Sequence, residues 1–245
     1  MLAPLPAFAQ QAAECRPGPE AARVQALRAT DGRSLLLSDG REIRLAGLDV
    51  PLGTGPGAAA ATAALQREAA GRDFDLVPAG PDDRYGRVVA VLYPPGDRGS
   101  LQAGLLHAGF ARVFGDFGPC TAEWRTAETF ARDRAAGLWG MPEHALRRAE
   151  AGAALGTQRG QFAVAEGRVL SVRRSAGTIY LNFGRRWRDS LTVTISAPRE
   201  RMFARAGLEP KALEGRTIRV RGYVEDRNGP LIEALRPEQI EIAGR

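Results

Sequence analysis

The sequence lacks long apolar runs and contains little histidine and little lysine. It has no apolar run that approaches about 18 residues, the length that a membrane-spanning helix requires. Histidine occurs only at His107 and His144, without the spacing of metal ligands, so packing or surface roles are expected for both. Lys211 is the single lysine among 34 basic residues, which indicates a bias toward arginine. The sequence therefore predicts a globular protein without a membrane span.

The positive charge is concentrated near the C-terminus. Residues 1–161 carry 18 basic and 18 acidic side chains, whereas residues 162–245 carry 16 basic and 10 acidic ones, so the whole net charge of +6 lies in the last third. A basic domain of this kind favours an anionic partner, nucleic acid first. The alternative is that these arginines form an ordinary solvated surface, as expected from the arginine bias.

The N-terminus and the two cysteines favour export. Residues 1–10 contain Ala7-Phe8-Ala9, the small-x-small pattern of a signal-peptidase site, which predicts the tail of a secretory signal whose start lies upstream. The alternative is a plain N-terminal segment. We expect Cys15 and Cys120 to form a disulfide that closes a loop of 105 residues, although two unrelated buried thiols would also fit.

The first part of the chain shows strands followed by helices. Asp39-Gly40 is a turn between an apolar run and the alternating segment 42–45, in which Arg44 faces away from Ile43 and Leu45. Further strands are predicted in 74–80 and 87–95, and helices in 58–71, 100–109 and 121–140. Ser100 is the expected N-cap of the second helix. The pattern predicts a small barrel covered by helices.

The pattern changes after residue 140. Residues 141–161 resemble a tail helix followed by a glycine-bearing linker. From Phe162 onward the sequence predicts short strands at even spacing with one helical insert, which is typical of an OB-type barrel. The predicted organisation is an N-terminal arm with the signal remnant (1–21), a first domain (22–140), a linker (141–161) and a second β domain (162–245).

Four motifs of the first domain, taken together, resemble a known family. They are DGRSLLLSDGREIRLAGLDVP, DDRYGRVVAVLY, AGFARVF and AETFARDRAAGLWG, in this order. They resemble the staphylococcal nuclease-like (thermonuclease) family over roughly residues 22–140. The resemblance implies a five-stranded OB-like barrel with helices, and its active members are calcium-dependent enzymes that hydrolyse DNA and RNA.

The resemblance also assigns roles to single residues. Arg44 and Arg87 match the two arginines that clamp the phosphate, and Asp49 matches one aspartate of the calcium site. Arg33 stands where the family has a second metal-binding aspartate, and Leu52 stands where it has the glutamate that acts as the base. Arginine would repel the metal and leucine cannot accept a proton. We therefore expect an incomplete metal site and no cofactor, with calcium bound only if the site is active.

The second domain has its own candidate binding residues. Aromatic and basic side chains interleave in YLNFGRRW, and arginines alternate with apolar residues in TIRVRGY, where they are expected to face solvent. This mixture could stack bases and hold phosphates, although the aromatics could instead belong to the core. The domain resembles OB-type nucleic-acid-binding domains attached to some bacterial thermonuclease-like proteins. The candidate residues are Tyr180, Phe183, Arg185, Arg186, Trp187, Arg219 and Arg221.

These observations lead to three functional hypotheses. The first is an exported, periplasmic or secreted protein whose degenerate nuclease domain binds nucleic acid, another polyanion or a protein partner without cutting. The second is an active calcium-dependent endonuclease that uses Arg44, Arg87, Asp49 and a carboxylate not evident in the sequence. The third is an envelope scaffold or protein-interaction module.

Overall fold

The computed structural model describes residues 15–16, 18, 21–96, 99–115, 118 and 120–243. The predicted signal-peptidase site lies outside these residues. The chain divides into two compact units, Met1–His144 and Ala145–Arg245. Both are mainly β with a few helices, as the sequence predicts. None of the helices in the described part of the chain is long and apolar enough to span a membrane.

The first unit is built on a closed five-stranded barrel. Its strands and helices are β1 (Ala22–Asp31), β2 (Ser34–Leu37), β3 (Glu42–Leu45), β4 (Leu48–Asp49), α1 (Pro56–Ala69), β5 (Asp73–Pro78), β6 (Val88–Tyr93), α2 (Leu101–His107), β7 (Arg112–Val113) and α3 (Cys120–Asp133). The barrel order is β1-β2-β3-β6-β5, and β4 pairs with β7 outside it. The pairing of β3 with β6 is parallel, which brings the start of β6 beside β3.

Side-chain alternation on β3 separates the barrel core from the candidate site. Ile43 and Leu45 are at most 1% exposed and point into the barrel, while Arg44 lies on the outer face. The predicted N-cap of α2 is confirmed, since the Ser100 hydroxyl accepts a hydrogen bond from the Ala103 N–H at 3.1 Å. The predicted disulfide between Cys15 and Cys120 is also present, and it attaches the N-terminal arm to the first residue of α3.

The second unit contains one larger sheet. Its elements are β8 (Arg147–Arg148), α4 (Gly152–Gly156), β9 (Phe162–Arg168), β10 (Ser171–Ser175), β11 (Thr178–Asn182), β12 (Thr192–Ser196), α5 (Glu200–Arg205), β13 (Thr217–Asp226), β14 (Pro230–Glu233) and β15 (Ile240–Ile242). The order is β10-β11-β12-β14-β13-β9-β8, with β15 also on β13. Only Val169 and Leu170 separate β9 from β10, although β10 is the first strand of this order and β9 lies next to its other end. Two of the sheet's pairings are parallel, β12 with β14 and β8 with β9.

The predicted linker needs a correction. Within residues 141–161, β8 pairs with β9, and Ala149 and Leu155 are fully buried in the core of the second unit. These two apolar side chains are withdrawn from water only when this segment packs on the sheet. The segment from Ala145 onward is thus part of the second unit and not a free connection.

Candidate functional site

The fold brings the two candidate phosphate arginines to one carboxylate. Arg44 is the neighbour of Val89 on β6, and Arg87 directly precedes that strand. Both side chains reach Asp83: Arg87 donates from Nε at 2.9 Å and from Nη2 at 2.8 Å to Oδ2, and Arg44 Nη1 lies 4.0 Å from the same oxygen. An anionic group therefore already lies between the two guanidinium groups.

The charge of Asp83 is strongly stabilised. The hydrogen bonds from the Arg87 side chain, followed by those from the backbone N–H groups of Tyr85 and Arg87, lower the pKa of Asp83 to about 2. The same contact raises the pKa of Arg87, to which Glu42 and Asp31 add weaker attraction. A carboxylate with so low a pKa is a poor general base near neutral pH. Asp83 acts as a fixed counter-ion of the arginine pair.

Ser34 and Tyr85 complete the surroundings of Arg87. Arg87 Nη1 donates to the Ser34 hydroxyl at 3.2 Å, and Ser34 is the cross-strand partner of Arg44. The Tyr85 ring is 67% exposed, and the guanidinium carbon of Arg87 lies 5.3 Å from its centroid. The site thus offers two cations and an exposed aromatic face.

Asp49, the candidate metal ligand, is engaged elsewhere. The pairing of β4 with β7 makes Asp49 the cross-strand partner of Arg112. Arg112 Nη2 donates to Asp49 Oδ2 at 2.7 Å, and both side chains are only 5% exposed. A metal ion at Asp49 would have to compete with this buried ion pair.

Arg33 and Leu52 occupy the two positions where the family resemblance predicts a second metal ligand and the base. Arg33 lies in the β1–β2 turn, which Asp31 caps by accepting the Arg33 N–H at 2.7 Å. The Arg33 carbonyl accepts the Leu45 N–H at 2.8 Å, so Arg33 lies beside β3, and its buried Nε has no hydrogen-bond partner among the described residues. Leu52 is 55% exposed. Across the described part of the chain no three His, Cys, Asp or Glu side chains cluster as metal ligands. The residues present do not fit calcium.

Asp83 is the site residue that sequence reasoning missed. In the sequence it belongs to a different loop from Arg44, yet that loop turns back so that its carboxylate meets both Arg44 and Arg87. The spacing of four residues between Asp83 and Arg87, across a turn that contains Gly86, was the available signal. The sequence alone could not show that Arg44 shares the same carboxylate.

The candidate residues of the second unit fall into two groups. Phe183 is 3% exposed and lies in the core, and Arg221 is 1% exposed and paired with Glu241, so the expectation that Arg221 faces solvent is wrong. Arg219 is also largely buried, with Glu166 at 2.5 Å and Glu241 at 3.2 Å. The reason is that β9 and β15 flank β13 and bring acidic residues to these arginines.

The other group remains accessible. Arg185 and Arg186 are exposed, Trp187 is 63% exposed, and Tyr180 is half-buried on the face of β11 that points away from the core. These four side chains stay as candidates for contact with nucleic acid.

The first unit is therefore an OB-like barrel that carries two arginines on one outer face, a nuclease-like or nucleic-acid-binding fold. Residues 42–141 match the family model described as staphylococcal nuclease homologue, so this part of the chain is similar to that family. The resemblance inferred from its motifs is thereby confirmed. Active members of the family depend on calcium. A comparison with curated proteins gave no match to the chain.

Proposed function

We propose that the first unit binds phosphate groups of nucleic acid or another polyanion through Arg44 and Arg87 without calcium-dependent cleavage. The observation that carries this proposal is the shared carboxylate of Asp83: two N–H groups of Arg87 converge on its Oδ2 and Arg44 lies 4.0 Å from the same atom, an arrangement that suits a phosphate oxygen equally well. A polyanion would bind by replacing or joining Asp83 at the two guanidinium groups.

Loss of cleavage follows from the residues around the arginines. Arg33 puts a cation where a metal ligand belongs, Leu52 supplies no base, and Asp49 is tied to Arg112. Losing a general base typically removes about 10²- to 10⁴-fold in rate. Losing the charge stabilisation that a metal provides raises the activation free energy by several kcal/mol more. Two arginines alone would hold a phosphate but would not activate water.

A nuclease assay with purified protein tests this proposal. We expect no calcium-stimulated cleavage by the native chain, with the chelator-treated protein as reference. The double variant Arg33→Asp, Leu52→Glu restores both missing carboxylates and leaves Arg44 and Arg87 in place. We expect detectable calcium-dependent cleavage from the double variant and little from either single variant, because metal and base act as a unit.

The two other hypotheses correspond to distinct results of the same experiments. Robust cleavage by the native chain that is abolished by chelator and by Arg87→Ala would establish an active nuclease. Absence of both cleavage and polyanion binding at low salt would favour a scaffold or protein-interaction module.

The second unit is proposed to contribute to the same binding. With the boundary at Ala145 it carries 19 basic and 11 acidic side chains, a net of +8, whereas residues 1–144 carry 15 and 17, a net of −2. Exposed arginines beside an exposed tryptophan suit single-stranded nucleic acid, whose phosphates attract the charges and whose bases stack on the ring.

Export is the proposed localisation, periplasmic or secreted. The disulfide between Cys15 and Cys120 supports it, because such bonds persist in oxidising compartments. Non-reducing mass spectrometry of protein recovered from the periplasm should find no free thiol. Two free cysteines in that sample would count against the proposal.

A further inference from the structure

One face of the sheet in the second unit carries a continuous row of functional side chains. Arg173 on β10 lies opposite Tyr180 on β11, which lies opposite Thr194 on β12, and Thr194 is paired with Glu233 on β14. Directly opposed residues point to the same side of a sheet. The row spans three strand spacings, or about 14 Å.

The opposite face of these strands is the core. Ile179, Val193 and Ile195 alternate with the residues of the row and are at most 2% exposed. Because successive side chains of a strand point to opposite faces, the row must lie on the outside. Arg173 is exposed and Tyr180 and Glu233 are half-buried, so these three side chains are available to a ligand without disturbance of the core, whereas Thr194 is only 8% exposed.

Two cavities meet on this outer face, with Trp187 between them. The first, the outer-face groove, has a volume of about 240 Å³ and is lined by Tyr180, Thr194, Trp187 and Glu233 among others. The second has a volume of about 830 Å³ and is also lined by Trp187. The four arginines that line it define the arginine shelf: Arg173, Arg185, Arg186 and Arg188.

The two cavities differ in charge. The arginine shelf holds four cations against Asp189, which lies 3.9 Å from Arg186. The described charged residues that line the outer-face groove are Arg227 and Glu233, and Arg227 is paired with Glu225 at 2.9 Å. The shelf thus attracts an anion, whereas the groove presents a carboxylate acceptor.

The groove also contains polar side chains that are ready to bind a ligand. The side chains of Tyr180, Thr194, Trp187 and Glu233 form no hydrogen bond with any other described residue. The phenol and threonine hydroxyl can donate or accept, the indole N–H donates, and the carboxylate accepts. This set can satisfy the polar edge of a flat ring inserted beside Trp187.

We propose that this face binds one nucleotide of a single strand, with its phosphate on the arginine shelf, its base stacked on Trp187, and a base amino group donating to Glu233. The separation between shelf and carboxylate is comparable with the length of a nucleotide from phosphate to base edge. Thymine and uracil offer a carboxylate on that edge only one ring N–H, which lies between two carbonyl oxygens that the carboxylate repels, whereas cytosine offers an exocyclic amino group. The site therefore prefers bases with an amino group, such as cytosine, over thymine. This inference rests on the nucleic-acid binding proposed above.

The test measures binding of the full chain to oligo-dC and oligo-dT of equal length at low salt, by fluorescence anisotropy. We expect tighter binding of oligo-dC than of oligo-dT. In Glu233→Gln the ratio of the two affinities should fall by about 5-fold or more. Trp187→Ala should weaken binding of both strands by about 10-fold or more, because the stacking surface is removed. Glu209→Gln and Tyr223→Ala, which alter an exposed acid and an exposed ring away from the groove, should change neither quantity.

Intrinsic fluorescence provides a second measurement on the unmodified protein. Trp124 and Trp139 are at most 4% exposed, so quenching of an exposed tryptophan by a bound base reports Trp187. We expect quenching by oligo-dC in the native chain and its loss in Trp187→Phe. Binding without base preference, without quenching and without an effect of either groove variant would overturn this inference but leave the proposed function intact. Absence of any oligonucleotide binding would overturn this inference together with the nucleic-acid binding on which it rests.

Discussion

At the level of single residues, the chemistry of the arginine pair on the first barrel depends on one neighbouring carboxylate, Asp83. The family resemblance assigns Arg44 and Arg87 to phosphate, and in the structure both lie at Asp83, whose carboxylate they hold and whose pKa is about 2. The acidic group between the arginines is thus fixed as their counter-ion and is a poor base. In the proposed function, phosphate binding depends on Arg44 and Arg87, whereas cleavage would need carboxylates that Arg33 and Leu52 replace.

The low pKa of Asp83 predicts a pH-dependent contribution to stability. Its folded-state pKa of about 2 lies below the ordinary value of 3.8, so the contribution is fully present well above pH 4 and is lost as the pH falls through 2. In urea unfolding, Asp83→Asn should lower the midpoint at pH 6 and progressively less toward pH 2.

Asp82→Asn is the matched control for this prediction. Asp82 is exposed, and its carboxylate forms no ion pair with another described residue, so the midpoint of this variant should follow that of the native chain. A difference between Asp83→Asn and the native chain that stays constant with pH would contradict the assignment.

Asp49 is a second residue whose partner in the fold opposes the role that its position in the sequence predicts. The family resemblance predicts a metal ligand at Asp49, but the short pairing of β4 with β7 buries Asp49 against Arg112. Removal of one partner of such a buried pair leaves an uncompensated charge, which is strongly unfavourable. The pair therefore opposes use of Asp49 by a metal.

Among the structural elements, α3 is held at its first residue by the bond from Cys120 to Cys15. The bond closes a loop of 105 residues, and closing a loop of that size restricts the unfolded chain. The chain-entropy model gives at most about 4 to 5 kcal/mol for it. The double variant Cys15→Ser, Cys120→Ser should therefore unfold at clearly lower urea concentration.

The reductant supplies the control for this prediction. Dithiothreitol should shift the native chain to the midpoint of the double variant and leave the double variant unchanged. Equal midpoints for the oxidised native chain and the double variant would show that the bond does not stabilise the fold.

For the whole molecule, the main contrast is between two β units of related strand order and opposite net charge, −2 before Ala145 and +8 after it. Binding of single strands by residues 145–245 should weaken as salt is added, because bound arginines release counterions from the strand. The double variant Arg185→Gln, Arg186→Gln should reduce the slope of log affinity against log salt by about 0.7 for each phosphate that is no longer neutralised. Arg201→Gln, an exposed arginine of α5, should leave the slope nearly unchanged.

A salt-independent affinity would contradict this prediction, and so would an equal change of slope in the Arg201→Gln control. Either result would show that the exposed arginines only solvate the surface, the alternative that the arginine bias of the sequence left open.

Local physical chemistry made much of the fold predictable. Alternation of apolar and polar residues defined β3, the Asp39-Gly40 turn set its hairpin with β2, and Ser100 marked the start of α2. Short contiguous motifs were enough to compare four residues with the family pattern, namely Arg33, Leu52, Arg44 and Arg87. Each of these features depends on neighbours within a few residues, which the sequence displays directly.

Tertiary structure decided which side chains remain available to a ligand. Arg112 lies 63 residues from Asp49, Glu166 lies 53 residues from Arg219, and Glu241 lies 20 residues from Arg221, yet these are their partners. The burial of Phe183 and the row from Arg173 to Glu233 likewise depend on strand pairings between distant segments. The sequence by itself determined the kind of charge at each position. Whether that charge is neutralised internally depends on the pairings of the folded chain, because electrostatic contacts act over a few ångströms of space and not along the chain.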